Sequence, residues 1–118
     1  MKKLIAWTEI PALDIERAVS FYNSVFKMSL EITDCGTEKM ACFPGGEGAI
    51  SFAPNFNPSK EGVLVSFNVP DDIEQSVKRA ELLEGRLILP KTKIEAEGRA
   101  FFALITDSEG NKIGLYGN

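Results

Sequence analysis

The chain has 118 residues, 44% of them hydrophobic, enough apolar material for one domain with a substantial core and too little chain for two. Thirteen basic against seventeen acidic side chains give a net charge of −4, which excludes the basic surface that a nucleic-acid binder uses to release counterions. The absence of histidine removes Ser-His-Asp and Cys-His catalysis and histidine-based zinc sites together.

Residues 3–10, KLIAWTEI, predict a buried strand. The apolar run behind the two lysines is too short for a signal core or a membrane span, so a cytoplasmic chain with no membrane partner is expected. Pro11 ends the strand and Asp14 offers a helix N-cap. From Ile15, apolar residues recur at Ala18, Val19, Tyr22, Val25 and Phe26, the spacing of an amphipathic helix. Short apolar runs at 29–33, 39–43 and 49–53, separated by turn residues, predict three strands. Cys35 and Cys42 fall in this region without the spacing of a zinc site or a histidine or cationic cluster to activate a thiol, which fits a reducing compartment.

The stretch NFNPSKEG at 55–62 lacks apolar periodicity and predicts a linker. Val63 to Val69 predict a strand, and Asp71 and Asp72 cap a helix carrying Ile73, Val77 and Ala80. Strands are predicted again at 86–89, 99–106 and 112–116, the last two joined by DSEGN at Asp107 to Asn111. The mixed-charge stretch KTKIEAEGR at Lys91 to Arg99 predicts a solvated loop, placed to act as a lid.

The order βαβββ therefore occurs twice, and DIERAV at Asp14 to Val19 matches DIEQSV at Asp72 to Val77. One such unit buries apolar surface on a single sheet face, so the two must pair. The expected fold is α+β: a single domain of module one (1–54), linker (55–62) and module two (63–118), forming a curved mixed sheet around a cavity with the helices outside. Strand parity then sorts the residues. Ile5, Trp7 and Glu9 face the cavity while Ala6, Thr8 and Ile10 meet the helix; Leu64, Ser66 and Asn68 face in while Val65, Phe67 and Val69 face out; Gly114 and Tyr116 look in while Ile113 and Leu115 pack outward.

The segments WTEIPALDIERAVSFYNSVF at Trp7 to Phe26 and DSEGNKIGL at Asp107 to Leu115 resemble the vicinal oxygen chelate superfamily, which includes glyoxalase I, bleomycin-resistance proteins and extradiol dioxygenases. The resemblance spans essentially the whole chain, through a D-x-x-R-A-x-x-F-Y helix start and a D-x-x-G-N turn. It implies a divalent metal held by His and Glu from four strands, and a homodimer. Carried over position by position, the ligands fall on Trp7, Ser51, Leu64 and Gly114, none of which suits such an ion. No metal and no cofactor are therefore expected, and glyoxalase or dioxygenase activity is not implied.

The candidate ligand-binding residues are Trp7, Glu9, Phe43, Ser51, Leu64, Ser66, Asn68, Phe102, Gly114 and Tyr116. Trp7, Phe43, Phe102 and Tyr116 would make an aromatic cage for a flat or cationic ligand. Ser51, Ser66 and Asn68 would orient it, and Glu9, with Tyr116, is the candidate catalytic group, a general base if buried beside Trp7. Asp107, Gly110 and Asn111 are read as serving the hairpin alone. The expectation is a small-molecule-binding protein that works without metal. The alternative is a lyase, isomerase or dioxygenase-like enzyme using Glu9, or a metal held by unassigned carboxylates such as Glu47.

Overall fold

Asp14 and Asp72 each sit in extended backbone and accept a hydrogen bond from the N–H three residues on, Arg17 at 3.1 Å and Gln75 at 2.8 Å. Each cap contributes about 1 kcal/mol to its helix. The helices that follow are α1 (Ile15–Phe26) and α2 (Ile73–Leu82) in a computed structural model that describes residues 4–95 and 100–118. Lys27, in the left-handed region with φ 54°, ends α1, and the Asn23 side chain then holds Leu30 in the core by accepting its N–H at 2.8 Å.

The strands are β1 (Thr8–Pro11), β2 (Ile32–Asp34), β3 (Lys39–Cys42), β4 (Gly48–Phe52), β5 (Val65–Asn68), β6 (Arg86–Lys93), β7 (Phe101–Thr106) and β8 (Lys112–Gly117). They form two four-stranded mixed sheets, ordered β1-β4-β3-β2 and β5-β8-β7-β6. In each sheet the strand before the helix pairs in parallel with the last strand, and the other pairs are antiparallel. The expected α+β fold of two βαβββ units is therefore present, with the helices on the outside of the sheets and packed against each other.

One apolar core serves both sheets. Phe67 of β5 stacks on Phe26 at 4.7 Å between ring centroids and lies 5.5 Å from Tyr22 and 5.7 Å from Phe43. Phe21 reaches Gly85, where an added Cβ would stand 2.9 Å from the carbonyl oxygens of Ala80 and Thr106. Glycine at 85 is what lets the end of α2 approach β7 so closely.

Several predicted boundaries move, each for a reason of pairing. The first strand begins at Thr8 rather than at residue 3, because Thr8 already pairs with Gly48, the first residue of β4, and no β4 residue remains for Leu4 to Trp7. Ala6 thus contributes nothing to the helix side and is exposed. The fifth strand begins at Val65 because the Lys112 N–H, ahead of the Val65–Ile113 register, donates to the Ser59 carbonyl instead. The second strand shifts to Ile32–Asp34 with Leu30 drawn inward. Lys91 to Lys93, read as loop, extend β6, where Thr92 and Lys93 pair with Phe102 and Phe101 after two register shifts. The rest of the expected lid at 96–99, including Arg99, lies outside the described residues.

Candidate functional site

Because Ile10, Ile50, Ala41, Ile113, Leu115, Ala103 and Ile105 are buried toward the helices, the alternate residues occupy the opposite, open sheet face. On the second sheet the register lines up Ser66, Gly114 and Leu104 in one row and Asn68, Tyr116, Phe102 and Thr92 in the next. Ser66 and Asn68 are exposed, while Phe102 and Tyr116 are half-buried side by side. On the first sheet, Ser51 is buried and donates its hydroxyl to Glu9 Oε1 at 2.8 Å. Glu9 is exposed rather than buried beside Trp7.

Two of the aromatic candidates do not join this group. Phe43 lies on the helix side in the core with Tyr22 and Phe67, and lines the edge of a cleft there rather than joining Phe102 and Tyr116. Trp7, 42% exposed, and Leu64, 46% exposed, precede β1 and β5 rather than lying on them. Of the expected cage, the register brings together only Phe102 and Tyr116.

The positions that would carry metal ligands can be tested by their donor chemistry. Trp7 offers an indole and Leu64 an alkyl group; the Ser51 hydroxyl is engaged by Glu9. At Gly114 there is no side chain, and a Cβ there would collide with Ser66 Oγ and lie 3.0 Å from Ser66 Cβ. These residues do not fit a divalent ion, which takes imidazole, carboxylate or thiolate donors. Among the described residues no group of three or more His, Cys, Asp or Glu stands ready to hold a metal.

Two clefts flank β1 and β5. The first, about 360 Å³, is lined by Thr8, Phe26, Met28, Phe43, Glu47 and the strand residues Val65 to Asn68. The second, about 270 Å³, runs along β1 from Thr8 to Pro11 beside the connection, lined by Glu9, Pro11, Phe56, Ser59, Val63 and Lys112 among others.

A polar clasp missed from sequence fixes the halves that form these clefts. The Asp107 carboxylate is buried and accepts the Tyr22 hydroxyl at 2.7 Å, the backbone N–H groups of Glu109 and Asn111, and the Asn111 side-chain amide. Asn111 also donates to the Pro11 carbonyl and accepts from Ser59 N–H. Glu109 accepts the N–H groups of Leu13 and Asp14 at the start of α1 and pairs with Arg17 through two nitrogens at 2.6 and 2.9 Å. Asp107 and Asn111 therefore do more than shape the hairpin. Burial favours the neutral forms of both Glu109 and Tyr22. For Glu109 the bonds from Arg17, Asp14 and Ser108 outweigh burial and hold the carboxyl below its ordinary range. For Tyr22 the Asp107 charge adds to burial and pushes the phenol well up. The sequence signal was an exposed Arg and a buried Tyr on α1 with acids in a turn between apolar strands.

At the other end of the helices, Arg79 of α2 donates to the Val25 carbonyl and to Asp71. The hydrogen bonds from Arg79 hold the Asp71 carboxyl well below its ordinary range.

Comparison with solved structures gives the same architecture at low sequence identity. A glyoxalase-related enzyme from Fulvimarina pelagi matches with a TM-score of 0.71 at 14% identity, over 99% of this chain and 89% of that one. A fosfomycin resistance protein, FosX, from Mesorhizobium loti matches at 0.66 and 15% identity, over 100% and 93%. A glyoxalase I variant from Zea mays matches at 0.70 and 17% identity over 94% of this chain, which spans only 44% of the maize chain. No curated protein matches the chain. Among the described residues no helix is long and apolar enough to cross a membrane. The family profile described as Glyoxalase/Bleomycin resistance protein/Dioxygenase superfamily matches residues 4–115, and the chain belongs to that superfamily.

Proposed function

We propose that the chain binds a small molecule on the open sheet face and does so without a resident metal, as a homodimer in the cytoplasm. The observation that carries the reading is the donor set: Ser66, Asn68 and Tyr116 beside Phe102 on one sheet, Glu9 with Ser51 on the other, and no metal-ligating side chain at Trp7, Ser51, Leu64 or Gly114. A few polar groups set among aromatic and apolar ones orient a ligand by hydrogen bonds and shape. The adjoining cleft of about 360 Å³ is within the usual range for a small-molecule site, roughly 300–1,000 Å³. Leu4 at 97%, Ile5 at 66% and Val63 at 92% exposure are apolar side chains that a second copy would cover.

Purified protein is incubated with nickel, zinc, iron or manganese and desalted, then screened for thermal shift against small molecules with and without those ions. Retained metal far below one equivalent, with ligand shifts indifferent to metal, supports the reading. Stoichiometric retention overturns it. The second reading is an enzyme of the same superfamily that uses Glu9, favoured by the 2.8 Å bond from Ser51 that orients an accessible carboxylate. Turnover abolished in Glu9→Gln while ligand binding persists would select it.

A further inference from the structure

We propose that the second cleft is a separate binding site for a small zwitterion with an apolar body, a hydrophobic amino acid being the simplest example. The inference shares Glu9 with the open-face reading, and Thr8 and Val65 with the first cleft, but it does not rest on that reading, since Ser66, Asn68 and Tyr116 are absent from the lining of this cleft. Its walls are mostly apolar, from Ile10, Pro11, Phe56, Val63 and Ile113, with the neutral polar residues Thr8, Asn57, Ser59 and Asn111 among them. Two charged side chains of opposite sign border them, Glu9 and Lys112. Neither is in an ion pair among the described residues, and the one side-chain hydrogen bond to Glu9 comes from the neutral Ser51 hydroxyl. A carboxylate and an ammonium in one mostly apolar cleft, unpaired with each other, complement a ligand that carries both charges. The connection over the cleft is pinned, because Ser59 N–H donates to the Asn111 side chain and the Ser59 carbonyl accepts Lys112 N–H. The wall is thus formed before a ligand arrives, which lowers the ordering cost of binding. At about 270 Å³ the cleft is smaller than drug-sized sites of about 300–1,000 Å³, and so suits a single amino acid.

The test is calorimetric titration of the full chain with L-phenylalanine, phenylpropionate and phenethylamine, which share a ring and differ in charge. The expected result is saturable binding of L-phenylalanine with a Kd of about 1 mM or below, and each singly charged analogue about tenfold weaker or more. Lys112→Met should weaken L-phenylalanine and phenylpropionate and leave phenethylamine unchanged, with Lys112→Arg restoring affinity. Asn68→Ala, in the first cleft only, should leave all three titrations unchanged. Circular dichroism confirms that each variant is folded. Absence of saturable binding of L-phenylalanine, unchanged affinity in a folded Lys112→Met, or a loss of affinity in Asn68→Ala would each overturn the proposal. The first two leave the open-face reading standing, and the third moves the ligand to it.

Discussion

Glu109→Gln isolates the charge in the clasp. Glu109 has a fully buried side chain, and its Oε1 accepts from Leu13 and Asp14 while Oε2 meets Arg17 Nε at 2.6 Å and the Ser108 hydroxyl at 3.0 Å. Glutamine keeps an acceptor for the two backbone groups. On the other side it points an amide N–H at the guanidinium, donor against donor. One hydrogen bond to a charged group is worth about 1.5–3 kcal/mol, and Arg17 is 42% exposed, so solvent screening lowers the expected loss to about 1–3 kcal/mol. For a chain of this length that is roughly 3–6 °C of Tm per kcal/mol. The pH dependence follows from the lowered carboxyl. The unfolded chain takes up the proton near the ordinary 4.5 and the folded chain only at lower pH. The stabilisation is therefore complete above about pH 4.5 and is lost as pH falls through the folded value. Urea denaturation of both proteins from pH 7 to pH 3 should show the gap between them narrowing below about pH 4.5. A gap that keeps its size across that range, or one below about 0.5 kcal/mol at pH 7, would refute the reasoning.

Tyr22→Phe removes the donor to the buried Asp107 at 2.7 Å and should cost about 1–3 kcal/mol by urea denaturation; coupling to Asp107→Asn in a double-mutant cycle identifies the bond as the source. Phe67→Ala, which opens the aromatic cluster around Tyr22, Phe26 and Phe43, should cost about 2–4 kcal/mol, less than a fully buried phenylalanine because its ring is only partly covered. Gly85→Ala drives a methyl against the Ala80 and Thr106 carbonyls at 2.9 Å and should lower Tm by an amount equivalent to about 1–3 kcal/mol, measured by calorimetry. Light scattering should give a mass near twice 12.9 kDa at micromolar concentration, and a monomer there would count against the dimer.

The helices were legible because both their signals are local: an aspartate cap and an apolar stripe, each read within one turn. Strand existence was legible too, and strand limits were not. Where β1 starts depends on Gly48, forty residues away in sequence, as its first partner, and nothing in KLIAWTEI records that. Similarly, β6 runs on through PKTK because Phe101 and Phe102 continue the ladder opposite, though the stretch itself reads as polar. Parity placed Glu9, Ser66, Asn68, Gly114 and Tyr116 on the open face from a single rule. It does not apply to Trp7 and Leu64, which precede β1 and β5 instead of lying on them. The clasp was hidden because each of its residues has an ordinary local role as a cap, a turn residue or a solvated helix charge, and only the packing of the hairpin on α1 joins them.

That packing also bears on how the superfamily can be recognised in this chain. Asp14, Arg17 and Tyr22 come from the helix signature, and Asp107 and Asn111, with Glu109 between them, come from the turn signature. In the structure these are the two sides of one interaction: Arg17 with Glu109, Tyr22 with Asp107, and the Asp14 N–H donating to Glu109 at the start of α1. The residues that identify the family thus hold the βαβββ units together on the buried, helix side. The open face is furnished from other positions, where Ser51 engages Glu9 and Ser66 fills the space over Gly114. Changes on one side leave the other intact, so the fold can be maintained while the ligand chemistry differs. Substitutions at Arg17, Tyr22 or Glu109, the clasp residues that line neither cleft, should therefore move stability with ligand affinity per folded molecule constant, and substitutions such as Tyr116→Phe on the open face should do the reverse.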